Sequence, residues 1–374
     1  MPTCQVCHTE SPTIAGFLGV CRACIVERPD DARPFIDAAH RANRERYGLP
    51  PFPPDDPEGR PCRRCGNECR IPPGERGYCG MVENADGRVR TLATVGRGYL
   101  SWYHDPLPTN CVGSWVCPGE TGAGHPRYAN RPGPEHGYTN LAVFYHSCTF
   151  SCLFCQNSHF RHEYLRGAAS AEDLAGAVDA RTACICYFGG DPASQLKHSL
   201  GASKLATKAA RRDGRILRIC WETNGSTSGR WARQMMKIAL ESGGCIKFDM
   251  KAADPNLHRA LTGVSNRQTW ENLAALAEYI PERPDPPPLV ASTPLVPGYV
   301  DAKEVGAIAA RLAALDADIP YSLLGFHPAH RMNDLPTTSA EHARRCVEAA
   351  ESAGLTRVHV GNRHLLSRDD YGEK

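Results

Sequence analysis

Three cysteines near the middle of this chain are spaced for iron chemistry. Cys148-Thr-Phe-Ser-Cys152-Leu-Phe-Cys155 sets three thiols on one short loop, with three residues and then two between them. Three thiolates fill three corners of a four-iron cluster and leave one iron open. An open iron can take a small chelating ligand and pass it an electron. The next cysteine downstream is Cys184, so no fourth thiol lies close by to close the set. The competing reading is a zinc site or a group of buried cysteines.

Other thiols come in sets of their own. Cys4-x-x-Cys7 and Cys21-x-x-Cys24 are two knuckles joined by a short loop, the pattern of a four-thiolate zinc site, with iron or a redox-active pair as the alternative. A module of residues 1–28 is too small to hold a core without its metal, so zinc there would be structural. Cys62, Cys65, Cys69 and Cys79 fall in one Gly-rich stretch and suit either a second zinc or an auxiliary iron–sulfur cluster. Cys111 and Cys117 lie in an irregular loop, as further ligands or as buried thiols.

Polar residues recur where apolar runs end. Gly189-Gly190-Asp191-Pro192 follows one run; the glycines let backbone approach a ligand, or form a plain turn. Glu222, Thr223 and Asn224 end the next run with groups suited to a ribose or a carboxylate. Asp249 and Lys251 flank Met250 and so share one side of a strand, as ligand contacts or as a simple ion pair. His327 ends a later run, with a structural role as the alternative.

The elements that must carry these groups alternate. Strand patterns occupy residues 138–147, 183–188, 215–221, 245–250, 289–296 and 321–326, with a short one at 358–360. Helical patterns fall between them near 194–212, 230–241, 267–280, 302–315 and 339–353. Such alternation predicts parallel βα units. The expected class is α/β, a partial (β/α)6 TIM-type barrel, preceded by a Cys-rich, irregular N-terminal region. The cysteine loop then leaves a strand at the barrel end where active sites are built. The expected divisions are a zinc-ribbon-like module at 1–28, a linker at 29–61, a Cys-rich region at 62–137, the barrel at 138–365 and a tail at 366–374. Residues 29–47 can form a helix, and the proline-rich run at 50–57 reads as a stiff spacer.

Composition narrows the field. A net charge of +2 over 374 residues implies no polyanionic partner. No apolar run approaches the ~18 residues of a membrane span. The first eight residues have neither a basic start nor an apolar core, which predicts no secretory leader. Eighteen cysteines in such a chain read as metal ligands in a reducing cytoplasm. A zinc-ribbon protein that binds nucleic acid or protein, with a non-catalytic cluster, is the alternative class. The near-neutral charge disfavours nucleic acid.

The ordered series Cx3Cx2C, Gly-Gly-Asp-Pro, Glu-Thr-Asn-Gly, Asp-Met-Lys, Val-Pro-Gly-Tyr and His327 resembles the pyruvate formate-lyase activating enzyme group of the radical S-adenosylmethionine (SAM) superfamily. The stretch from Asp249 through Leu257-His258 to Leu261-Thr-Gly-Val-Ser-Asn266 is similar to that group's segment after its fourth strand. The likeness runs from about 138 to 365. The Cys62–Gly80 block also looks like the N-terminal cysteine block of the AmmeMemoRadiSam-type proteins.

The resemblance implies a fold of the radical SAM type, a [4Fe-4S] cluster on Cys148, Cys152 and Cys155, and SAM on its open iron. It places Phe154 near the adenine. Gly189, Gly190 and Asp191 would meet the methionine amino group, and Lys251 and His327 would add contacts to SAM. Glu222, Thr223, Asp249 and Met250 match positions that hold a monovalent cation in the activating enzymes. Asp191 stands where the family has Glu, and Glu222 where it has Asp. The ferredoxin-like insertion of many activases is absent after Cys155. The implied activity is reductive cleavage of SAM to a radical that abstracts hydrogen from an unidentified substrate, protein or small molecule. Flavodoxin or ferredoxin would donate the electron, and neither membrane nor nucleic acid is expected as a partner. No protein acid or base is needed for that cleavage.

Overall fold

The computed structural model describes residues 1–371, so residues 372–374 of the expected tail lie outside the described residues. Seven parallel strands form the central sheet: β2 Thr139–Tyr145, β3 Thr182–Gly189, β4 Arg218–Thr223, β5 Ile246–Asp249, β6 Leu289–Leu295, β7 Tyr321–Gly325 and β8 Val358–Gly361. An eighth main strand, β1 Gly98–Pro106, precedes them and pairs antiparallel with β2, from Leu100 opposite Tyr145 to Pro106 opposite Thr139. The sheet therefore begins upstream of residue 138, inside a stretch expected to be irregular.

Alternation sorts the side chains. Ile185, Tyr187, Ile219, Trp221, Ile246 and Phe248 face the surrounding helices in the main core. Tyr145, Tyr187 and Trp221 stack in series on that face, with ring centroids 6.0 and 5.7 Å apart. Cys184, Cys186, Cys220, Cys245 and Val290 form a second, interior cluster. Residues from both ends of the strand order, Tyr103 and Phe144 at one and Leu324 and Val360 at the other, line one cavity. That shared lining makes the sheet a partial barrel.

Five of the expected helices form, as Leu196–Arg212, Gly229–Ser242, Arg267–Ala277, Ala302–Ala313 and Ala340–Ser352. Asp301 and Ser339 cap the last two by accepting from Glu304 N and His342 N. A further helix, Pro255–Thr262, lies in the segment after β5, with Asp254 as its cap.

The upstream region packs against the barrel at several points. Leu18, Val20 and Ile25 belong to the same core cluster as Tyr299 and Phe326. Tyr299 Oη donates to Val20 O and accepts from Ala15 N, both at 3.0 Å. Residues Pro29–Glu45 form a helix whose Asn43 Nδ2 donates to Ser151 Oγ at 3.2 Å, beside the cysteine loop. Arg44 is buried, with its guanidinium 3.5 Å from the centroid of the Tyr78 ring. The 50–57 run is tied to the Cys62–Cys79 block, where Arg70 N donates to Pro54 O at 2.7 Å. The tail is held too, through Tyr371 Oη against His342 Nδ1. None of the 18 cysteines is in a disulfide, and among the described residues no helix is long and apolar enough to cross a membrane.

Candidate active site

A cavity of about 470 Å³ opens at the C-terminal ends of the strands. Cys148, Cys152, Cys155 and Phe154 line it from the loop after β2. They are joined by Gly190 and Asp191 after β3, Glu222, Thr223 and Asn224 at β4, and Asp249 and Lys251 at β5. Eleven of the fourteen residues expected at this site are thus brought together.

Three are not. Gly189 is buried behind the rim; a Cβ there would come 2.1 Å from Phe144 Cδ1, so its role is to admit that ring. Met250 packs into the outer core, as the alternation with Asp249 and Lys251 requires. His327 is exposed and outside the cavity lining. β7 ends at Gly325, and Phe326 takes the last inward place with its N–H held by Thr338 Oγ1 at 2.7 Å. A one-residue difference in where the strand ends turns His327 outward.

The loop geometry comes from a hydrogen-bonded knot. Gly190 has φ +60°, and a Cβ there would sit 1.9 Å from Tyr145 O, so only glycine fits. Asp191 N donates to Ser147 O at 2.8 Å, tying β3 to the start of the cysteine loop. The Asp191 carboxylate accepts from Ala193 N at 2.6 Å, Asn224 N at 2.7 Å and Thr223 Oγ1 at 3.1 Å. Asn224 Nδ2 donates to Thr149 Oγ1 at 2.8 Å and lies 3.6 Å from Cys148 Sγ. Burial pushes the Asp191 carboxyl up to about 6, against these donors.

Asp191→Asn tests the knot. The amide cannot accept from both backbone N–H groups, so one donor is left unpaired in a buried place. The expected cost is about 1–3 kcal/mol, read from the urea midpoint at pH 7. Ionising the buried Asp191 costs stability, and that cost grows as pH rises from about 4 through 6. The gap between the two proteins should therefore change across that window. A variant with an unaltered midpoint at every pH would show that the carboxylate does not hold the knot.

Charge is distributed in pairs. Lys251 Nζ meets Asp249 Oδ2 and lies 5.4 Å from the centroid of the Phe154 ring. Lys247 Nζ lies 3.5 Å from Glu222 Oε2. Each carboxylate already faces an ammonium where the family resemblance implies a monovalent cation. Asp249 Oδ1 is buried without a hydrogen-bond partner. Burial raises the Cys148 thiol well above its ordinary range and pushes Cys152 up to about 12; Lys251 opposes the shift at Cys152. Lys247 was missed from sequence. Its signal was the period of two along Cys245, Lys247 and Asp249, which shares one inward face.

Two other thiol sets gather elsewhere. Cys4 and Cys24 sulfurs lie 3.8 Å apart, as do those of Cys7 and Cys21, and all four are within 4.8 Å of one another. A tetrahedral zinc with bonds of about 2.3 Å has sulfur–sulfur edges of roughly 3.8 Å. Cys62, Cys69 and Cys79 pack in one cluster with Phe150, Cys148 and Cys152, which puts that block directly behind the cysteine loop.

Residues 142–312 match the radical SAM superfamily. The isethionate sulfite-lyase activating enzyme of Oleidesulfovibrio alaskensis is 34% identical over 143 residues, 38% of this chain and 41% of that protein. The indoleacetate decarboxylase activating enzyme of Tractidigestivibacter scatoligenes is 41% identical over 56 residues, 15% of this chain and 16% of that protein. The chain thus spans about two fifths or less of these relatives. A domain of pyruvate-formate lyase-activating enzyme from Bacteroides vulgatus superposes with a TM-score of 0.38 at 21% identity, covering 48% of this chain and 98% of that domain. With its α/β barrel and the cysteine loop at the barrel mouth, this chain is similar to the radical SAM superfamily over residues 142–312 and, over 143 residues, to an activating enzyme.

Proposed function

We propose that this protein is a radical SAM enzyme of the activating type, with Cys148, Cys152 and Cys155 as the ligands of a [4Fe-4S] cluster. The observation that carries this reading is the convergence of the three thiols and the strand-end polar groups on one cavity. The residues fit both groups. Three thiols without a fourth match a cluster with one open iron. The buried, unpartnered Asp249 Oδ1 offers an acceptor to an ammonium or hydroxyl of SAM.

When bound, the cluster and SAM supply one-electron cleavage of the sulfonium to methionine and a 5′-deoxyadenosyl radical, which takes a hydrogen atom from the substrate. The chain's own part is placement. Asp191 and Asn224 hold the cysteine loop to β3 and β4. Asp249 and Lys251 bind polar groups of SAM, and Phe154 supplies an apolar face. Phe144, Phe188 and Phe326 in the lining limit water near the reacting atoms. The relatives are named for activating a lyase and a decarboxylase, which supports a partner protein as substrate. Flavodoxin or ferredoxin is the expected reductant. The N-terminal quartet is read as a structural zinc site, and Cys62, Cys65, Cys69 and Cys79 as a zinc or second cluster site.

The test is anaerobic reconstitution with iron and sulfide, reduction, and assay of 5′-deoxyadenosine and methionine without any substrate. Slow formation of both is expected. Asp249→Ala should weaken SAM binding about ten- to a hundredfold, with the cluster spectrum kept, since it removes a charge-assisted hydrogen bond worth roughly 1.5–3 kcal/mol. A fully loaded, reducible protein that makes neither product would overturn the proposal.

A further inference from the structure

Six more cysteines line a small space inside the barrel. Cys184 and Cys186 lie on β3, Cys220 on β4 and Cys245 just before β5; Cys111 and Cys117 come from the loop after β1. The space measures about 30 Å³. Register sets Cys186 beside Cys220. Trp221 N donates to Cys245 O at 3.0 Å, which brings Cys245 alongside Cys220. One level of the interior is therefore thiol across three neighbouring strands.

Cysteine is a good small core residue, and burial alone would not make a site. Three observations go further. Barrel interiors are filled by bulky branched side chains and leave few voids the size of a water. Here one third of the chain's 18 cysteines line such a void. Lys247 also enters the ring from β5 with its side chain only 1% exposed. Its Nζ donates to Cys111 Sγ at 2.8 Å and Cys186 Sγ at 3.8 Å. Glu222 Oε2 at 3.5 Å gives this buried ammonium one negative charge, and metal-bound thiolates at Cys111 and Cys186 would add to it.

Third, the loop that brings Cys111 is fixed in place. Ser322 Oγ donates to Val112 O at 2.6 Å and accepts from Trp115 Nε1 at 2.9 Å. A Cβ at Gly113 would come 3.3 Å from Lys247 Cδ, so the backbone there runs against the lysine stem.

We propose that these six thiols form a metal centre of their own, for a thiophilic metal held as a single ion or a small iron–sulfur cluster, with Lys247 as its counter-cation. Thiolate donors select zinc, copper(I) and iron–sulfide over hard ions. Among the described residues, the N-terminal quartet is the set drawn within 4.8 Å, and the interior sulfurs stand wider apart around their cavity. Binding therefore draws them inward by side-chain rotation, or spans them with more than one metal atom. Thr109 and Cys111 line both cavities, so the centre borders the space for SAM and substrate.

The full-length protein, purified anaerobically, is analysed for iron, zinc, copper and acid-labile sulfide beside two folded double variants, Cys186→Ser/Cys220→Ser and Cys111→Ser/Cys117→Ser. Stoichiometric loss of metal from either one is expected. Loss of iron together with sulfide identifies a cluster; loss of zinc or copper alone identifies a single ion. Unchanged metal and sulfide in both variants overturns the proposal. If neither variant folds, anomalous diffraction from wild-type crystals decides. A metal peak inside the ring supports the centre, and sulfur peaks alone refute it.

Discussion

Replacing Cys148, Cys152 and Cys155 together with alanine is expected to remove about four irons per chain and all SAM cleavage. The three side chains enter a cavity at the barrel mouth, and the backbone that carries them is held from outside the loop. Asp191 N donates to Ser147 O, Asn224 Nδ2 to Thr149 Oγ1, and Ser151 N to Thr262 O at 2.8 Å. None of these bonds uses a cysteine sulfur, so the variant should keep its circular dichroism and its remaining metals. Iron, sulfide and the reduced spectrum are measured against wild type after identical reconstitution. A variant that kept full iron and still produced 5′-deoxyadenosine would place the catalytic cluster elsewhere, with the Cys62–Cys79 block as the next candidate.

The second large effect belongs to a buried ion pair. Arg218 on β4 and Glu135 are 2% and 0% exposed. Arg218 Nη1 donates to Glu135 Oε1 and to Tyr128 O, both at 2.9 Å, and its Nη2 also donates to Glu135 Oε2. Glu135 Oε1 accepts further from Asn130 N at 2.7 Å and Asn130 Nδ2 at 3.0 Å. Burial would raise the Glu135 carboxyl, but Arg218 and Asn130 outweigh it and hold it below the ordinary carboxylate range. Glu135→Gln leaves the guanidinium buried without its counter-charge. We expect a loss of about 3–5 kcal/mol at pH 7, read from urea unfolding.

The pH dependence follows in sign. A carboxyl held low when folded contributes stability that is present above its unfolded pKa of about 4.3 and is lost as pH falls through the folded value. The difference between wild type and variant should therefore shrink in acid. Equal midpoints at pH 7 would show that the pair does not anchor the 118–135 segment to the barrel.

The parallel strands were legible because each is an apolar run ending in polar or glycine residues, and the expected boundaries fall within about three residues of those observed. The rim followed, since strand ends converge in a barrel. β1 was not legible. Its residues Gly98–Pro106 are buried at the first three positions and mostly exposed afterwards, so no period of two shows. The docking of residues 1–28 was missed for another reason. Leu18 and Val20 look like a small module's own core, and only the fold reveals that they pack with Tyr299, almost three hundred residues away. His327 and Phe326 differ by one position, below what strand patterns resolve. The thiol ring was invisible until pairing put Cys186, Cys220 and Cys245 side by side, because residues far apart in sequence share a level only through register.

The plug of the barrel also sets an order of events during synthesis. Trp115 and Ser322 are 207 positions apart, and Val112 and Ser322 are 210 apart. The loop that fills the interior is made early, and the strand that locks it is made among the last. Contacts of such long range form late, because the intervening chain must be gathered first. Until β7 leaves the ribosome, the loop with Cys111 and Cys117 lacks its two bonds to Ser322 and is held only by earlier contacts such as Lys247 with Cys111. The proposed thiol centre is therefore complete only once β7 has joined the sheet and fixed the loop that carries Cys111.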